Sequence, residues 1–195
     1  MEIKAIFGVL SSIILIIGGV PYLKDIYNKK VNPHILSWAG WSFITALGAF
    51  AMLANGSEWV VAILFANTIL CLIVVGYSIF KKVGVWSASV FDFIFFGMGI
   101  LGLILWQIIG SPIIAIIFAI SADLCFGLPT IIKTLKNPAS ETYFSWLAST
   151  VSGLLSLFAM KQYTFSEVAY PLYLFIFDAL VLLLVLKIIK KKITI

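Results

Sequence analysis

The sequence has no arginine, one histidine and two cysteines among its 195 residues, and only 11% of the residues are charged. A soluble domain carries roughly 25% charged residues, whereas 63% of this chain is hydrophobic and its mean hydropathy is +1.16. The absence of arginine excludes arginine-rich recognition of nucleic acid. Cys71 and Cys125 lie apart in apolar segments, so neither a disulfide framework nor a metal site is expected. The composition predicts one integral membrane unit without cofactor or metal.

Apolar runs long enough to cross a bilayer follow one another along the chain. Seven such runs can be counted: Ala5 to Ile26, Ile35 to Ala54, Glu58 to Phe80, Val85 to Gln107, Pro112 to Thr134, Tyr143 to Met160 and Glu167 to Lys187. The first run has Glu2 ahead of its apolar core and no small-residue cleavage site, so we expect a mature helix there and not a signal peptide. The sequence predicts an all-α integral membrane protein of seven transmembrane helices.

One pattern occurs twice in the chain. At a constant offset of 108 residues, Pro21 to Met52 aligns without a gap on Pro129 to Met160, and Ser37-Trp38 falls on Ser145-Trp146. Three spans in each copy would leave the second copy upside down in the membrane. The extra span from Val85 to Gln107 restores its orientation, which predicts two parallel three-helix bundles joined by a linker helix.

The predicted arrangement of bundles divides one integral domain into three parts. Residues 1–82 form the first three-helix bundle, residues 83–110 contain the linker helix and residues 111–195 form the second bundle. Both repeats are in one chain, and further assembly into a homo-oligomer stays open. Membrane proteins built from such repeats are most often transporters, because two related bundles can enclose a site and rock around it.

The lysines are distributed unevenly between the two faces that seven spans define. Eleven of them fall on the face opposite the N-terminus, and only Lys4 and Lys161 fall on the N-terminal face. Basic residues collect on the cytoplasmic side of membrane proteins. We therefore expect a cell-membrane protein with its N-terminus outside and its C-terminus in the cytoplasm. Because the lysines sit at helix ends, the pI of 9.2 indicates contact with lipid headgroups and not with nucleic acid.

Several motifs resemble a known superfamily. Pro21 stands late in the first helix, a basic loop follows, and the third helix reads from Glu58 to Thr68 with the pair Ala66-Asn67. These features resemble the SWEET and PQ-loop transporters, including the half-size SemiSWEET sugar transporters. The resemblance implies the three-plus-one-plus-three helical fold, alternating-access transport of a sugar or similar small solute, and a pocket asparagine at Asn67.

The chain also departs from that family. Its two prolines are followed by Tyr22 and Thr130, not by the glutamine that names the PQ-loop, and its second and sixth helices lack the prolines that SWEETs place there. In the second repeat, Asp178 stands where the resemblance implies the other pocket asparagine. These departures concern the substrate more than the fold.

Four polar residues lie deep in apolar runs with no lysine at matching depth: Asn67, Asp92, Asp123 and Asp178. A charged side chain at the bilayer centre costs about 2.5–3.5 kcal/mol on insertion scales. An unpaired carboxylate must therefore face water, bind a cation or stay protonated. Each of these three states is compatible with a residue on a transport path. The alternative is a neutral aspartic acid that joins two helices by a hydrogen bond.

We expect Asn67 and Asp178 to face each other across a central pocket, because they occupy near-equivalent points of the third and seventh helices. An amide and a carboxylate together can bind the hydroxyls of a sugar or an ammonium group. Trp41, Phe50 and Phe158 are the expected aromatic walls. The remaining aromatics near the cytoplasmic ends are expected in an interfacial belt: Tyr22, Trp38, Tyr143 and Trp146.

Two further roles concern movement. Asp123 aligns with Leu15, so its carboxyl belongs to one repeat only, and we expect it, with Asp92 on the linker helix, to couple transport to protons. Pro21 and Pro129 fall several residues inside helix ends. A proline there removes a backbone hydrogen bond and bends the helix, which predicts hinges of a cytoplasmic gate, a tolerated kink being the alternative.

Three functions remain open at this point. The first is a facilitative carrier for a sugar or similar small solute, and the second is a proton-coupled transporter of amino acids or organic cations. The third is a membrane receptor on the same scaffold, which would need a basic pocket on the outer face, where only Lys4 and Lys161 are expected. No Ser–His–Asp set, metal-ligand spacing or phosphate loop is present, so the sequence does not predict an enzyme.

Overall fold

A computed structural model describes residues 3–84 and 90–193, apart from the side chains of Asp92 and of residues 187–193. This part of the chain is helical and contains no strand. The helices are α1 (Ile3–Tyr27), α2 (Ile35–Ala54), α3 (Ala62–Lys81), α4 (Val90–Ile109), α5 (Pro112–Lys136), α6 (Tyr143–Ser156) and α7 (Phe165–Ile193). Short 3₁₀ turns at Trp59–Val61, Pro138–Ser140 and Leu157–Ala159 precede α3, α6 and the α6–α7 loop respectively.

Five of the described helical segments are long and apolar enough to cross a membrane: Ile3–Tyr27, Ile35–Ala54, Trp59–Lys81, Pro112–Lys136 and Phe165–Leu186. At 1.5 Å per residue, the 25 residues of α1 span about 38 Å, more than the roughly 30 Å of a hydrocarbon core. Phe93–Ile109 and Tyr143–Ala159 are shorter apolar helices. The chain is therefore a helical membrane protein. The start of the predicted fourth span, at Val85, lies outside the described residues.

Local sequence explains where several helices begin and end. The His34 side chain caps α2 by accepting a hydrogen bond from the backbone N–H of Ser37. Pro112 opens α5, where its missing N–H costs nothing. Gly110, with φ of 72°, closes α4 in a conformation that other residues rarely adopt. Pro21 and Pro129 lie inside α1 and α5 as expected, and Pro171 lies inside α7.

The helices of the two halves have the same pattern of neighbours. In the first half α3 packs between α1 and α2, and in the second half α7 packs between α5 and α6. The halves meet along two seams, one between α1 and α6 and the other between α2 and α5. Helix α4 packs on α5 and α2 and covers the second seam.

Equivalent residues meet at the two seams. Gly18 of α1 contacts Ala148 of α6, and there a Cβ on Gly18 would overlap the methyl group of Ala148. At the 108-residue offset this pair corresponds to Phe126 and Gly40, and a Cβ on Gly40 would lie 2.6 Å from the Phe126 ring. Small residues let helix backbones approach closely in a membrane. Each seam thus has a small residue at the same contact.

Polar contacts join the halves at both ends of the bundle. At one end, the Lys161 ammonium lies 2.6 Å from a Glu58 carboxylate oxygen, and Asn55 donates to the Ser166 hydroxyl at 2.6 Å. At the other end, the Thr142 hydroxyl donates to Asp25 at 2.8 Å. These contacts link loops and helix ends that are far apart in sequence.

Candidate functional site

A cavity lies between the two halves, near the middle of the bundle, and reaches toward the end at which α1 ends and α2 begins. Its volume, counted as the space open to the centre of a water-sized sphere, is about 70 Å³, which is enough for several water molecules. Six helices contribute lining residues: α1, α2 and α3 from the first half and α5, α6 and α7 from the second. The cavity is therefore shared by both halves.

Many lining residues occupy equivalent positions in the two repeats. At the 108-residue offset, Trp38 matches Trp146, Trp41 matches Ser149 and Leu15 matches Asp123, and all six line the cavity. In α3 and α7 the lining residues also repeat as pairs four positions apart, Ile63 with Asn67 and Leu174 with Asp178. Both repeats thus turn the same faces toward the cavity.

Asp123 is held in the cavity wall by hydrogen bonds from two other helices. It is 3% exposed, and its two carboxylate oxygens accept hydrogen bonds from the Tyr170 hydroxyl at 2.7 Å and the Tyr173 hydroxyl at 2.9 Å. The backbone carbonyl of Asp123 also accepts from the Trp41 indole at 3.4 Å. Helices α2, α5 and α7 therefore meet at this one residue.

Asn67 and Asp178 both line the cavity, as the sequence predicts. The Asn67 carbonyl oxygen has one weak partner, the Cys71 thiol at 4.0 Å. Within the described part of the chain, no group donates a hydrogen bond to the Asp178 carboxylate. The two side chains thus keep polar groups available to a ligand.

Aromatic rings line the cavity on both sides. Trp38 lies 5.0 Å from Tyr22 and 5.4 Å from Trp41 between ring centroids, and these three residues form the wall of the first half. Trp146 and Phe177, 6.3 Å apart, form the wall of the second half. The interfacial positions expected for Tyr22, Trp38 and Trp146 are corrected here, since all three turn inward to the cavity.

The other expected site residues lie elsewhere. Phe50 and Phe158 do not line this cavity; they are 56% and 53% exposed on the outer surface and pack against Phe65 and Phe7. They stand near the far ends of α2 and the turn after α6, on faces that the bundle does not enclose. The Asp92 side chain lies outside the described residues.

Sequence reasoning missed the groups that hold the cavity walls. Tyr170 and Tyr173 stand three residues apart on α7, a spacing that puts them on one helix face and could have suggested a shared partner. Glu141 is also unanticipated: its buried carboxylate lies 2.6 Å from the Lys133 ammonium and accepts from the Trp146 indole at 2.9 Å. Glu141 thereby holds the Trp146 ring in place from the end of the bundle.

The side chains that line the cavity can form hydrogen bonds and ring contacts with a ligand. Among the described residues, no group of three or more His, Cys, Asp or Glu side chains is placed to hold a metal ion. The cavity offers an amide, two carboxyls, serine hydroxyls and indole faces. Comparison of the chain with protein-family models, with curated proteins and with solved structures gave no match.

Proposed function

We propose that the protein is a SWEET-like transporter that moves a small polar solute across a cell membrane by alternating access. In this proposal seven helices span the bilayer, α1–α3 and α5–α7 are parallel bundles, and α4 is the linker. The N-terminus lies outside, because this orientation puts eleven of the thirteen lysines on the cytoplasmic side.

The observation that carries this proposal is the cavity between the halves and its matched lining. Trp38 and Trp146, and likewise Asn67 and Asp178, come from corresponding places in the two repeats. Transporters built from repeats bind their substrate at the repeat interface near the bilayer midplane. The equivalent seam contacts support the same relation, since Gly18–Ala148 at one seam corresponds to Phe126–Gly40 at the other.

The contacts at the two ends suit a gate that opens alternately. The Glu58–Lys161 ion pair is about half exposed on both side chains, and such surface pairs stabilise by only about 0–1 kcal/mol. The Asp25–Thr142 bond at the other end is a single hydrogen bond between halves. Pro21, Pro129 and Pro171 each lie inside a helix that lines the cavity, where a proline removes one backbone hydrogen bond. In the proposed cycle these weak contacts break and re-form as the bundles rock.

Counterflow in liposomes tests the transport function. The purified chain is reconstituted in vesicles preloaded with unlabelled solute, and entry of the labelled solute is followed for sugars, amino acids and organic cations in turn. We expect transient accumulation of at least one solute above protein-free vesicles. Vesicles that exchange none of these solutes would contradict the proposal.

Replacement of the cavity amide tests the site. Asn67→Ala removes both donors and the acceptor oxygen of a group that has one weak partner among the described residues, so we expect uptake of the transported solute to show a KM raised about tenfold. Ile69→Ala is the matched control, because Ile69 is two residues away on α3 and is 53% exposed on the outer face. Equal KM values for the two variants would remove Asn67 from the binding site.

A second candidate is a proton-coupled transporter, and the burial of Asp123 favours it. This carboxyl is bonded to two tyrosines and to no cation in the described part of the chain. A carboxyl so placed can exchange a proton with the cavity as its surroundings change.

A further inference from the structure

The charge of the cavity lining is one-sided. Asp123 and Asp178 bring two carboxyls to it, whereas neither a lysine nor a histidine is among the described residues that line it. The ion pairs of the described chain use Glu58, Lys133, Glu141 and Lys161 and leave the cavity without a cation. A ligand that enters this space meets acidic oxygens but no basic group.

The two carboxyls differ in how far the protein satisfies them. Each Asp123 oxygen already accepts one tyrosine hydroxyl. The Asp178 carboxylate, half-buried on α7, receives no hydrogen bond from the described residues. A carboxylate has about four acceptor positions and no donor, so its natural partner is a group that brings positive charge or N–H donors.

The aromatic walls favour the same kind of ligand. Trp38 and Trp41 meet nearly at right angles, with an interplanar angle of 86°, beside Tyr22. Trp146 and Phe177 stand on the other side. The faces of such rings attract cations, tryptophan most strongly, and the attraction grows when water is excluded. Aromatic cages of this composition recognise ammonium groups.

We propose that the cavity binds an organic monocation, an amine or quaternary ammonium whose charged head contacts Asp178 and the tryptophan faces. The proposal deepens the transport function by naming the substrate class, and it rests on that function only for the movement of the ligand, not for its binding. A neutral sugar would bring hydroxyls to Asp178 but would leave the carboxylate without a counter-charge. Asn67 then accepts a hydrogen bond from a polar group elsewhere on the cation, or donates one to it.

The first test compares two probes of the same shape and different charge. Choline and its neutral carbon isostere 3,3-dimethylbutan-1-ol are titrated into the full chain in lipid nanodiscs, with intrinsic tryptophan fluorescence as the readout. We expect choline to change the fluorescence and the alcohol to bind at least about tenfold more weakly. Asp178→Asn should bring choline down to the level of the alcohol, whereas Asp178→Glu, which keeps the charge, should retain the preference.

A second measurement needs no change at position 178. Cys71 lines the cavity and Cys125 does not, so Cys125→Ala leaves one thiol at the site. Its modification rates by a trimethylammonium and a sulfonate methanethiosulfonate are each divided by the rate of the same reagent with 2-mercaptoethanol. We expect the cationic reagent to be favoured about tenfold or more.

The outcomes separate binding from transport. Equal affinities for choline and the alcohol, including no binding of either, together with equal normalised rates at Cys71 would overturn the inference. Choline binding that is unaffected by Asp178→Asn would overturn the assignment of the head group to Asp178. A preference for choline without counterflow of any solute would leave the cation site standing and contradict the transporter.

Discussion

Vesicles that contain Asp123→Asn are expected to exchange solute but not to concentrate it. With the membrane potential held at zero and a gradient of about one pH unit, one proton coupled to each solute molecule would support about tenfold accumulation in the wild type. The variant should equilibrate at onefold, because the amide cannot take up and release a proton. Asparagine has nearly the shape of aspartate and still offers an acceptor to Tyr170 or Tyr173, so the fold should persist.

The control for this experiment is Glu167→Gln, which also replaces a buried carboxyl by an amide. Glu167 accepts a hydrogen bond from the backbone N–H of Gln162 but does not line the cavity, so this variant should concentrate solute like the wild type. If the wild type itself ignores the pH gradient, transport is facilitative and Asp123 serves only to join α5 to α7. Loss of counterflow in Asp123→Asn would instead indicate a direct role in binding.

Gly18→Ala is expected to cost about 2 kcal/mol of stability, within the range for overpacked interiors. The added methyl group would overlap the Ala148 side chain at the seam between α1 and α6, and neither backbone can withdraw without opening the interface between the halves. Unfolding of the reconstituted protein in a denaturing detergent, followed by fluorescence, measures the loss.

A reciprocal change makes this prediction specific. Ala148→Gly removes the methyl group that Gly18→Ala meets, so the double variant should recover most of the lost stability, a coupling that neighbouring residues show and distant ones do not. Gly76→Ala is the neutral control, since nothing lies within 4 Å of the added Cβ in the described structure. If Gly18→Ala is as stable as Gly76→Ala, the seam does not have the close contact described.

Sequence patterns predicted where the helices lie along the chain better than which side of each helix faces the cavity. Apolar runs gave the ends of α1, α2, α3 and α5 to within four residues, because chain segments in a bilayer must satisfy their own backbone hydrogen bonds. The run from Tyr143 to Met160 was expected as one span. In the structure α6 ends at Ser156 and a 3₁₀ turn follows, an ending that hydropathy alone does not reveal.

The sequence predicted those cavity residues whose polar side chains would cost free energy if they faced lipid. Asn67, Asp123 and Asp178 stood out because polar groups are expensive in lipid, and all three line the cavity. The aromatic residues carried no such signal. In a membrane both the lipid-facing and the buried side of a helix are apolar, so the sequence does not show which face Phe50 or Trp38 occupies. The position of each residue along its helix was used instead, and it gave the wrong location for both.

The mismatch between Leu15 and Asp123 has a consequence for the bound molecule itself. An enclosure assembled from two identical halves would present every side chain twice and could not distinguish the two ends of its occupant. Here Asp123 stands on one side and Leu15 at the matched place on the other, and Trp41 is likewise matched by Ser149. Joining both halves in one polypeptide allows each to change independently. In the proposed transporter, an asymmetric molecule therefore has one preferred orientation inside, and it presents the same end to the exit each time.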